Sequence, residues 1–339
     1  METGLKRTIV VAVCICAFLQ SFACEVDSLR AVRCNIETYV NKLNVQFYGI
    51  SKFNNFEISS GTHNNDIRFN PNENLNLGLG FNYKLLGFGA AINFGFLNND
   101  QERFGATKSL DMQMDIFTRK ILYSANLQYY QGYYWQNPDD FFHNWSVKDS
   151  MLIRPDIKTL TLGINGIYIF NSSNFSFKAA FQNTERQLAS AGSWLLAGKL
   201  SVYGIAADSS LVPYGLKELY PSVKEIKGLS AINMGGAGGY AYTYVPGEYF
   251  YFNATLLAGF NLQSVSRINL AGENIGGKCR ISSNAQFRIA IGCNKPKYYY
   301  GFSVTADSYS IKNASETDFK YNYGRIRFFY GRRFNLKGN

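Results

Sequence analysis

Residues 109–116 read SLDMQMDI, and this stretch decides the fold. Apolar and polar residues alternate strictly along it: Leu110, Met112, Met114 and Ile116 against Ser109, Asp111, Gln113 and Asp115. An extended strand turns successive side chains to opposite faces, whereas a helix would mix the two sets on every face. The stretch therefore predicts a β-strand with one apolar face and one polar face.

The same alternation recurs along most of the chain, in segments of roughly ten residues. It is found in residues 75–83, 88–96, 250–261, 284–292 and 325–331. In each segment Leu, Ile, Phe, Tyr and Ala alternate mainly with Asn, Gly, Ser, Gln and Arg. A membrane barrel turns the apolar set toward lipid and the polar set toward its lumen. We therefore expect an all-β fold, an antiparallel transmembrane β-barrel.

A soluble β-sandwich alternates as well, so the links between segments have to distinguish the two folds. Short links are predicted near residues 85–86, 119–120, 172–173, 246–247 and 295–296. Long polar links are predicted at residues 51–73, 97–107, 133–157, 204–227, 262–283 and 309–320. This succession of short and long links is typical of outer-membrane barrels, which have short periplasmic turns and long external loops.

The strand count depends on one ambiguous region. Two separate strands at 174–182 and 193–203 would put a long loop on the periplasmic side. A single long, bent strand from Phe175 to Tyr203 restores the alternation of links, gives about twelve strands and leaves both termini in the periplasm. The polar kink within that strand is then expected to be a bulge or an inward fold, a feature that often marks a site.

The composition fits a membrane barrel. Only 17% of the residues are charged and 16% are aromatic, whereas soluble domains carry about 25% charged residues. Rings cluster near predicted strand ends, at 129–135, 249–251, 298–300 and 328–330, and Tyr and Trp prefer the headgroup level of a bilayer. The net charge of +10 is scattered rather than concentrated in a patch, so we expect no nucleic-acid partner. The expected partners are outer-membrane lipid and, during insertion, the barrel-assembly machinery; the oligomeric state stays open.

The N-terminus predicts export. Lys6 and Arg7 precede an apolar run from Thr8 to Phe22, and Ser21 and Ala23 supply the small residues that a signal peptidase needs. We therefore divide the chain into a signal peptide (1–23), a periplasmic N-terminal segment (24–42), the barrel (43–334) and a C-terminal tail (335–339), located in the cell outer membrane.

The cysteines leave three alternatives open at the mature N-terminus. Cys24 could carry a lipid, Cys24 and Cys34 could form a disulfide in the oxidising periplasm, or the thiols could stay unpaired and inert. Cys279 and Cys293 lie near opposite ends of one predicted strand, so we expect no bond between them.

Several stretches resemble a known family, the outer-membrane proteins of Bacteroides-type bacteria grouped as domain-of-unknown-function family 4421. The resemblance covers most of the mature chain. Its most specific parts are Arg154 to Asn171 (RPDIKTLTLGINGIYIFN) and Phe175 to Gly198 (FSFKAAFQNTERQLASAGSWLLAG). Other matching parts are Leu75 to Asp100, Thr107 to Gln113, Tyr129 to Pro138 and Ala207 to Pro213. The resemblance implies an outer-membrane barrel and assigns no catalytic residues.

Charged residues on the polar faces are the main candidate site. The predicted lumen-facing residues are Asp111, Asp115, Lys199, Arg288, Arg325 and Arg327, and the kink adds Glu185, Arg186, Ser190 and Ser193. They could pair with one another and plug the lumen, or they could form a charged constriction or substrate site. Eight strands are filled by side chains and sixteen leave a channel, so about twelve strands fit either interpretation.

Other motifs give weaker signals. His143 could serve an acyl-transfer triad, but nothing in the sequence places a serine beside it, and His63 lies in a polar stretch. Asp139 and Asp140 alone do not make a calcium site. The Gly235–Gly239 run precedes a strand-like segment instead of a helix, so it is not a dinucleotide loop. We expect no metal and no cofactor.

Three functions therefore remain for the barrel. It could pass small solutes or lipids or have a structural role, modify lipids as an acyl hydrolase or transferase, or bind a cell-surface partner through its external loops. The sequence favours passage or a structural role over catalysis, and it does not reveal the ligand.

Overall fold

The computed structural model describes residues 35–60, 65–72, 75–83, 86–93, 100–142, 152–277, 279–312 and 317–336. Strands dominate these residues. Helical structure is limited to α1 (Gln101–Phe104), a π-helical turn (Lys178–Gln182) and two 3₁₀ turns (Pro138–Asp140 and Tyr214–Leu216). Within the described ranges, no helix has the length and apolarity needed to cross a membrane.

The described residues form sixteen strands, and twelve of these contain eight residues or more, in agreement with the predicted number. They are β2 (Leu43–Ser60), β4 (Leu75–Tyr83), β5 (Leu86–Asn93), β6 (Lys108–Phe117), β7 (Ile121–Trp135), β8 (Ile153–Ile169), β10 (Ala191–Ala206), β11 (Ile226–Tyr244), β12 (Phe250–Asn269), β14 (Arg280–Asn294), β15 (Tyr298–Ile311) and β16 (Thr317–Phe334). The short strands are β1 (Ile36–Thr38), β3 (Ile67–Asn70), β9 (Glu185–Gln187) and β13 (Asn274–Gly276).

The long strands form an antiparallel barrel, which confirms the predicted fold class. β7, β8, β10, β11, β12, β14, β15 and β16 pair in sequence order, and β16 pairs with β2. The ring closes through β3, which pairs with β2 at Phe56–Ile58 and with β7 at Tyr134 and Trp135. β4 and β5 extend the wall from the other half of β2, and β6 extends it from β7.

The two ends of the barrel differ in the length of their links, as the sequence predicted. At one end, the turn end, neighbouring strands are joined by residues 84–85, 118–120, 245–249 and 295–297. At the other, the loop end, the links include 61–74, 94–107, 136–152 and 207–225. Some predicted loop boundaries were wrong: β2 continues to Ser60, and only 312–316 separate β15 from β16. These strands are longer than the 9–11 residues with which a barrel strand crosses a bilayer.

Alternation sorts the side chains between the two sides of the wall. On β10, Trp194, Leu196 and Leu200 are exposed on the outer face, whereas Leu195 and Lys199 between them are buried inside. We predicted that the ring clusters lie at the headgroup level, but only part of each cluster points outward. Because neighbours on a strand alternate, only every second ring of each cluster points outward, and the other rings fill the interior.

The predicted continuous strand from Phe175 to Tyr203 was also wrong. β10 begins only at Ala191, and the π-helical turn and β9 lie between it and the end of β8. β9 pairs with β1 in a separate two-stranded sheet, with Ile36 opposite Gln187 and Thr38 opposite Glu185. The long link therefore does lie at the turn end, and it folds inward against the barrel instead of continuing the wall. We call residues 170–190 together with β1 the turn-end plug.

A glycine bulge shapes β7 near the loop end. The register with β8 shifts between Gln131 and Tyr133, and Gly132 has φ = +95°. A Cβ at Gly132 would lie 2.3 Å from the Ala106 carbonyl oxygen. Thr107 Oγ1 donates a hydrogen bond to the Gly132 carbonyl (2.7 Å). The bulge thus lets the residues after α1 pack closely against β7.

Candidate functional site

The loop end of the barrel is filled by a large apolar cluster, which we call the loop-end core. Wall strands contribute rings that point inward, and residues 207–225 fold over them. The cluster includes Phe56, Phe69, Tyr130, Tyr133, Trp135, Tyr203, Tyr309 and Tyr321 from the strands, and Leu211, Val212, Leu216, Tyr220 and Val223 from the link. Burial raises the pKa of Tyr220 to about 12. Its hydroxyl donates to the Asn65 carbonyl (2.7 Å), so it stays protonated as part of the packing.

The turn end is closed by the plug. Phe175, Phe177, Ala180 and Phe181 are buried together with inward-facing wall residues such as Leu195. The Tyr251 hydroxyl donates to the Ala180 carbonyl (3.0 Å). These contacts attach the segment to inward-facing residues of the wall strands.

Polar bonds hold the plug to the last strands. Arg333 on β16 donates to the carbonyls of Asn183 and Lys295 and to Asn294 Oδ1. Asn294 Nδ2 donates to the Glu185 carbonyl (2.9 Å). Directly after β1, burial and a hydrogen bond to Glu37 raise the pKa of Tyr39 above its ordinary value. The plug is therefore an ordered part of the molecule.

Between the core and the plug lies a cavity of about 1240 Å³, which we call the chamber. Its lining runs from Thr107 and Tyr130 at the loop end to Phe181 of the plug. Charged side chains on β2, β6 and β16 line its middle: Lys52, Asp111, Asp115, Arg325 and Arg327. A side pocket of about 40 Å³ adds Lys199, Arg288 and Asp307. All six predicted lumen-facing residues thus line these two adjoining cavities.

Asp111 is the most heavily bonded of the carboxylates. Lys52 Nζ lies 3.3 Å from Asp111 Oδ1 and also donates to the Asp111 carbonyl (2.6 Å). Asp111 Oδ2 accepts hydrogen bonds from the Tyr130 hydroxyl (2.6 Å) and from Gln128 Nε2 (2.8 Å). These bonds tie β6 to β2 and β7 at the level of the chamber.

The other two carboxylates each have one cationic partner. Arg325 Nη2 donates to Asp115, which also accepts a hydrogen bond from Ser124 Oγ (2.6 Å). Lys199 Nζ lies 3.4 Å from Asp307 Oδ1 and 3.8 Å from the centre of the Tyr309 ring. Both ion pairs are mostly shielded from water, which strengthens the attraction between their charges.

Two arginines differ from these pairs. In the described part of the chain, no carboxylate lies within ion-pair distance of Arg288 or Arg327. Arg327 Nη2 donates to Gln46 Oε1 (2.7 Å), and its guanidinium lies 5.1 Å from the ring centres of Tyr48 and Phe329. The two cavities therefore hold five cationic side chains and three carboxylates, an excess of positive charge that favours anionic ligands.

The kink residues do not join this set. Glu185 accepts a hydrogen bond from Ser176 Oγ within the plug, and Arg186 pairs with Glu37 (2.8 Å). Ser190 Oγ accepts from the Val245 amide and Ser193 Oγ from the Asn171 amide, both at 2.9 Å. These contacts give the four residues positioning roles where the plug meets the wall.

Sequence reasoning missed three residues of the site. Lys52 was assigned to a loop because the end of β2 was placed too early. Asp307 lies at the same alternate positions of β15 as Ser303 and Thr305. The alternation could therefore have identified it as a residue of the polar face. Arg333 lies two positions beyond the last glycine that we used to define the strand.

Several further predictions lie outside the described residues, namely those for Cys24, Cys34, His63 and His143. Cys279 and Cys293 are both free thiols. In the ranges that the structure describes, no cluster of three His, Cys, Asp or Glu could hold a metal ion. The glycine run at 235–239 lies inside β11.

Comparison with known proteins gives a family and distant structural similarities. The family described as Domain of unknown function (DUF4421) matches residues 33–334. No curated protein matches the chain significantly in sequence.

Three solved structures show how remote these structural similarities are. The outer membrane protease OmpT from Escherichia coli is 8% identical, with a TM-score of 0.34 over 88% of this chain and 98% of that one. The translocator domain of the autotransporter NalP from Neisseria meningitidis is 8% identical, with a TM-score of 0.34 over 98% of both chains. The toluene transporter TodX from P. putida is 7% identical, with a TM-score of 0.23 over 88% and 91%. Similarities this distant assign no activity or substrate to the chain.

Proposed function

The chain belongs to the DUF4421 family, and we propose that it is an outer-membrane barrel that takes small solutes or lipids into a closed chamber. The observation that carries this proposal is the charged chamber between the loop-end core and the turn-end plug. In the described residues, Arg288 and Arg327 face this space without a carboxylate partner. A purely structural barrel has no need of them, because buried charge is costly unless it is paired.

The outer surface supports a membrane location. Large apolar side chains stand on the outer face, including Leu256 (60% exposed), Phe260 (70%) and Ile281 (70%). In water these strands would present a contiguous apolar surface far larger than soluble monomers carry. In a bilayer the same surface meets lipid, and the barrel satisfies its backbone groups between strands.

The closed ends favour controlled uptake over a permanently open pore. Water has no wide path along the axis, because the loop-end core fills one end and the plug fills the other. A solute would enter the chamber when the plug moves or when it passes through the wall. We expect purified protein in planar bilayers to carry no steady ion current at rest.

Membrane fractionation tests the proposal. We expect the full chain, expressed in a Gram-negative host, to be found in the outer-membrane fraction. We also expect unheated samples to migrate differently from boiled samples in detergent gels, as folded barrels do. A protein recovered from the soluble periplasmic fraction without detergent would refute the proposed function.

A further inference from the structure

The barrel wall has one interruption, which we call the seam. Among the described strands, β5 pairs only with β4 and β6 pairs only with β7. No ladder joins β5 to β6 in those residues, although these two strands are consecutive long strands of the chain. Each strand therefore presents one row of backbone donors and acceptors to the seam. In hydrocarbon such rows need polar partners.

The chamber extends to this seam. Its lining includes Phe88 and Ala91 of β5 and Met112 of β6, together with the charged residues of the interior. Phe88 is 63% exposed and Met112 is 54% exposed, and both belong to the apolar outer face of their strands. At the seam, the lining of the cavity therefore includes residues of the apolar outer face as well as charged residues of the interior.

The charged side of the cavity lies on β2 and β16. Lys52 and Arg325 are direct cross-strand partners, and Arg327 follows on the same face. Asp111 and Asp115 balance the first two cations. Among the described residues, Arg327 has a carboxamide oxygen and two rings beside it, and its buried Nε has no hydrogen-bond acceptor there. A bound anion would supply the missing acceptor, and hydrogen bonds between charged groups are the strong ones.

We infer that the seam admits an anionic amphiphile, a lipid-like molecule with a phosphate or carboxylate head. The head binds Arg327, with Lys52 and Arg325 close by, and the alkyl chain lies in the seam against Phe88 and Met112. This inference rests on the proposed function and names the class of ligand that the chamber takes.

The closed ends favour an amphiphile over a free anion. A hydrated anion would have to pass either the loop-end core or the turn-end plug, both of which are apolar. A molecule dissolved in the membrane reaches the seam directly, without passing either end of the barrel.

Native mass spectrometry tests the inference on the full mature chain in a neutral detergent. The probes are dodecyl phosphate, dodecanol and inorganic phosphate. We expect a one-to-one adduct with dodecyl phosphate and much weaker binding of the other two probes. R327Q should weaken dodecyl phosphate binding by about tenfold, because a charged hydrogen-bonding partner is lost. R332Q is the matched control, since Arg332 is exposed on the outer face of the same strand.

A second variant tests the same contact in case R327Q does not fold. Gln46→Glu has nearly the same shape and places a carboxylate beside Arg327, where Gln46 Oε1 already accepts a hydrogen bond. It should also weaken dodecyl phosphate binding, because the new carboxylate competes with the anionic head. Heat-modifiable migration confirms that each variant is folded before binding is measured.

Three results would overturn the inference. Dodecanol or inorganic phosphate could bind as tightly as dodecyl phosphate. Alternatively, folded R327Q and folded Q46E could both bind dodecyl phosphate as tightly as the original protein does. Any of these in a protein that still fractionates as an outer-membrane barrel refutes the amphiphile and leaves the proposed function standing. Failure of the fractionation test would refute both.

Discussion

The two ends of the barrel are closed by different means. At the loop end, the rings that fill the interior belong to the wall itself: Phe56 stacks on Phe69 at 4.9 Å, and Tyr133 packs edge-on at 5.5 Å. At the turn end, Phe177 and its neighbours belong to an added segment that docks onto finished strands. The loop-end core therefore cannot be removed without damage to the barrel, whereas we expect the plug to undock as a unit. This difference makes the turn end the part of the molecule best suited to movement.

The largest expected effect compares one phenylalanine from each end. Phe56→Ala should lower the free energy of unfolding by about 3–5 kcal/mol, because the wall cannot collapse into the cavity. Phe177→Ala should lower the stability of the barrel by less than about 1 kcal/mol, because undocking of the plug limits the loss. Urea titrations followed by heat-modifiable migration measure both. Equal losses would mean that plug and wall unfold together.

A smaller effect is expected from the arginine that fastens the plug. Arg333→Gln removes charged hydrogen bonds to Asn183, Asn294 and Lys295 and should weaken docking of the plug by about 1–3 kcal/mol. Limited proteolysis should then cut within residues 170–190 faster, while the barrel strands stay resistant. Arg332→Gln is the control on the outer face. If cleavage is unchanged in Arg333→Gln, the plug is held by its apolar contacts alone.

The smallest effect is expected on the loop-end surface. The side chain of Glu218 is 91% exposed, and its Oε1 lies 3.8 Å from Lys224 Nζ. Exposed ion pairs contribute little, because water screens the charges. Glu218→Gln should therefore leave the urea midpoint unchanged. A clear loss of stability would show that residues 207–225 need this pair to cover the core.

The sequence could predict the barrel because its physical signal is local. Alternation within each strand follows from the different surroundings of its outer and inner faces, and link lengths identify the two ends. The plug could not be predicted in the same way. Residues 175–182 (FSFKAAFQ) also alternate, since Phe175, Phe177 and Phe181 are buried in the interior from a segment that contains a π-helical turn. Periodicity alone does not distinguish such a segment from a strand.

The sequence predicted some of the residues that line the chamber, but not how they pair. The alternation along each strand placed Asp115, Lys199 and Arg325 on polar faces. Their partners depend on which strands approach across the interior, and no local pattern carries that information. The pairing of Lys52 with Asp111 joins residues 59 positions apart in the sequence, on strands that share no ladder.

Closure of the chamber at both ends can be measured by the accessibility of a cysteine placed inside it. Ser303 lines the chamber and is 8% exposed. Ser303→Cys would be made in a chain whose native cysteines are changed to serine, with the exposed native Cys279 as the reference in a second chain. In proteoliposomes, a charged, membrane-impermeant thiol reagent should modify Cys279 rapidly and Ser303→Cys far more slowly from either side. Equal and rapid modification of both positions would contradict the account, because it would mean that the barrel is an open pore.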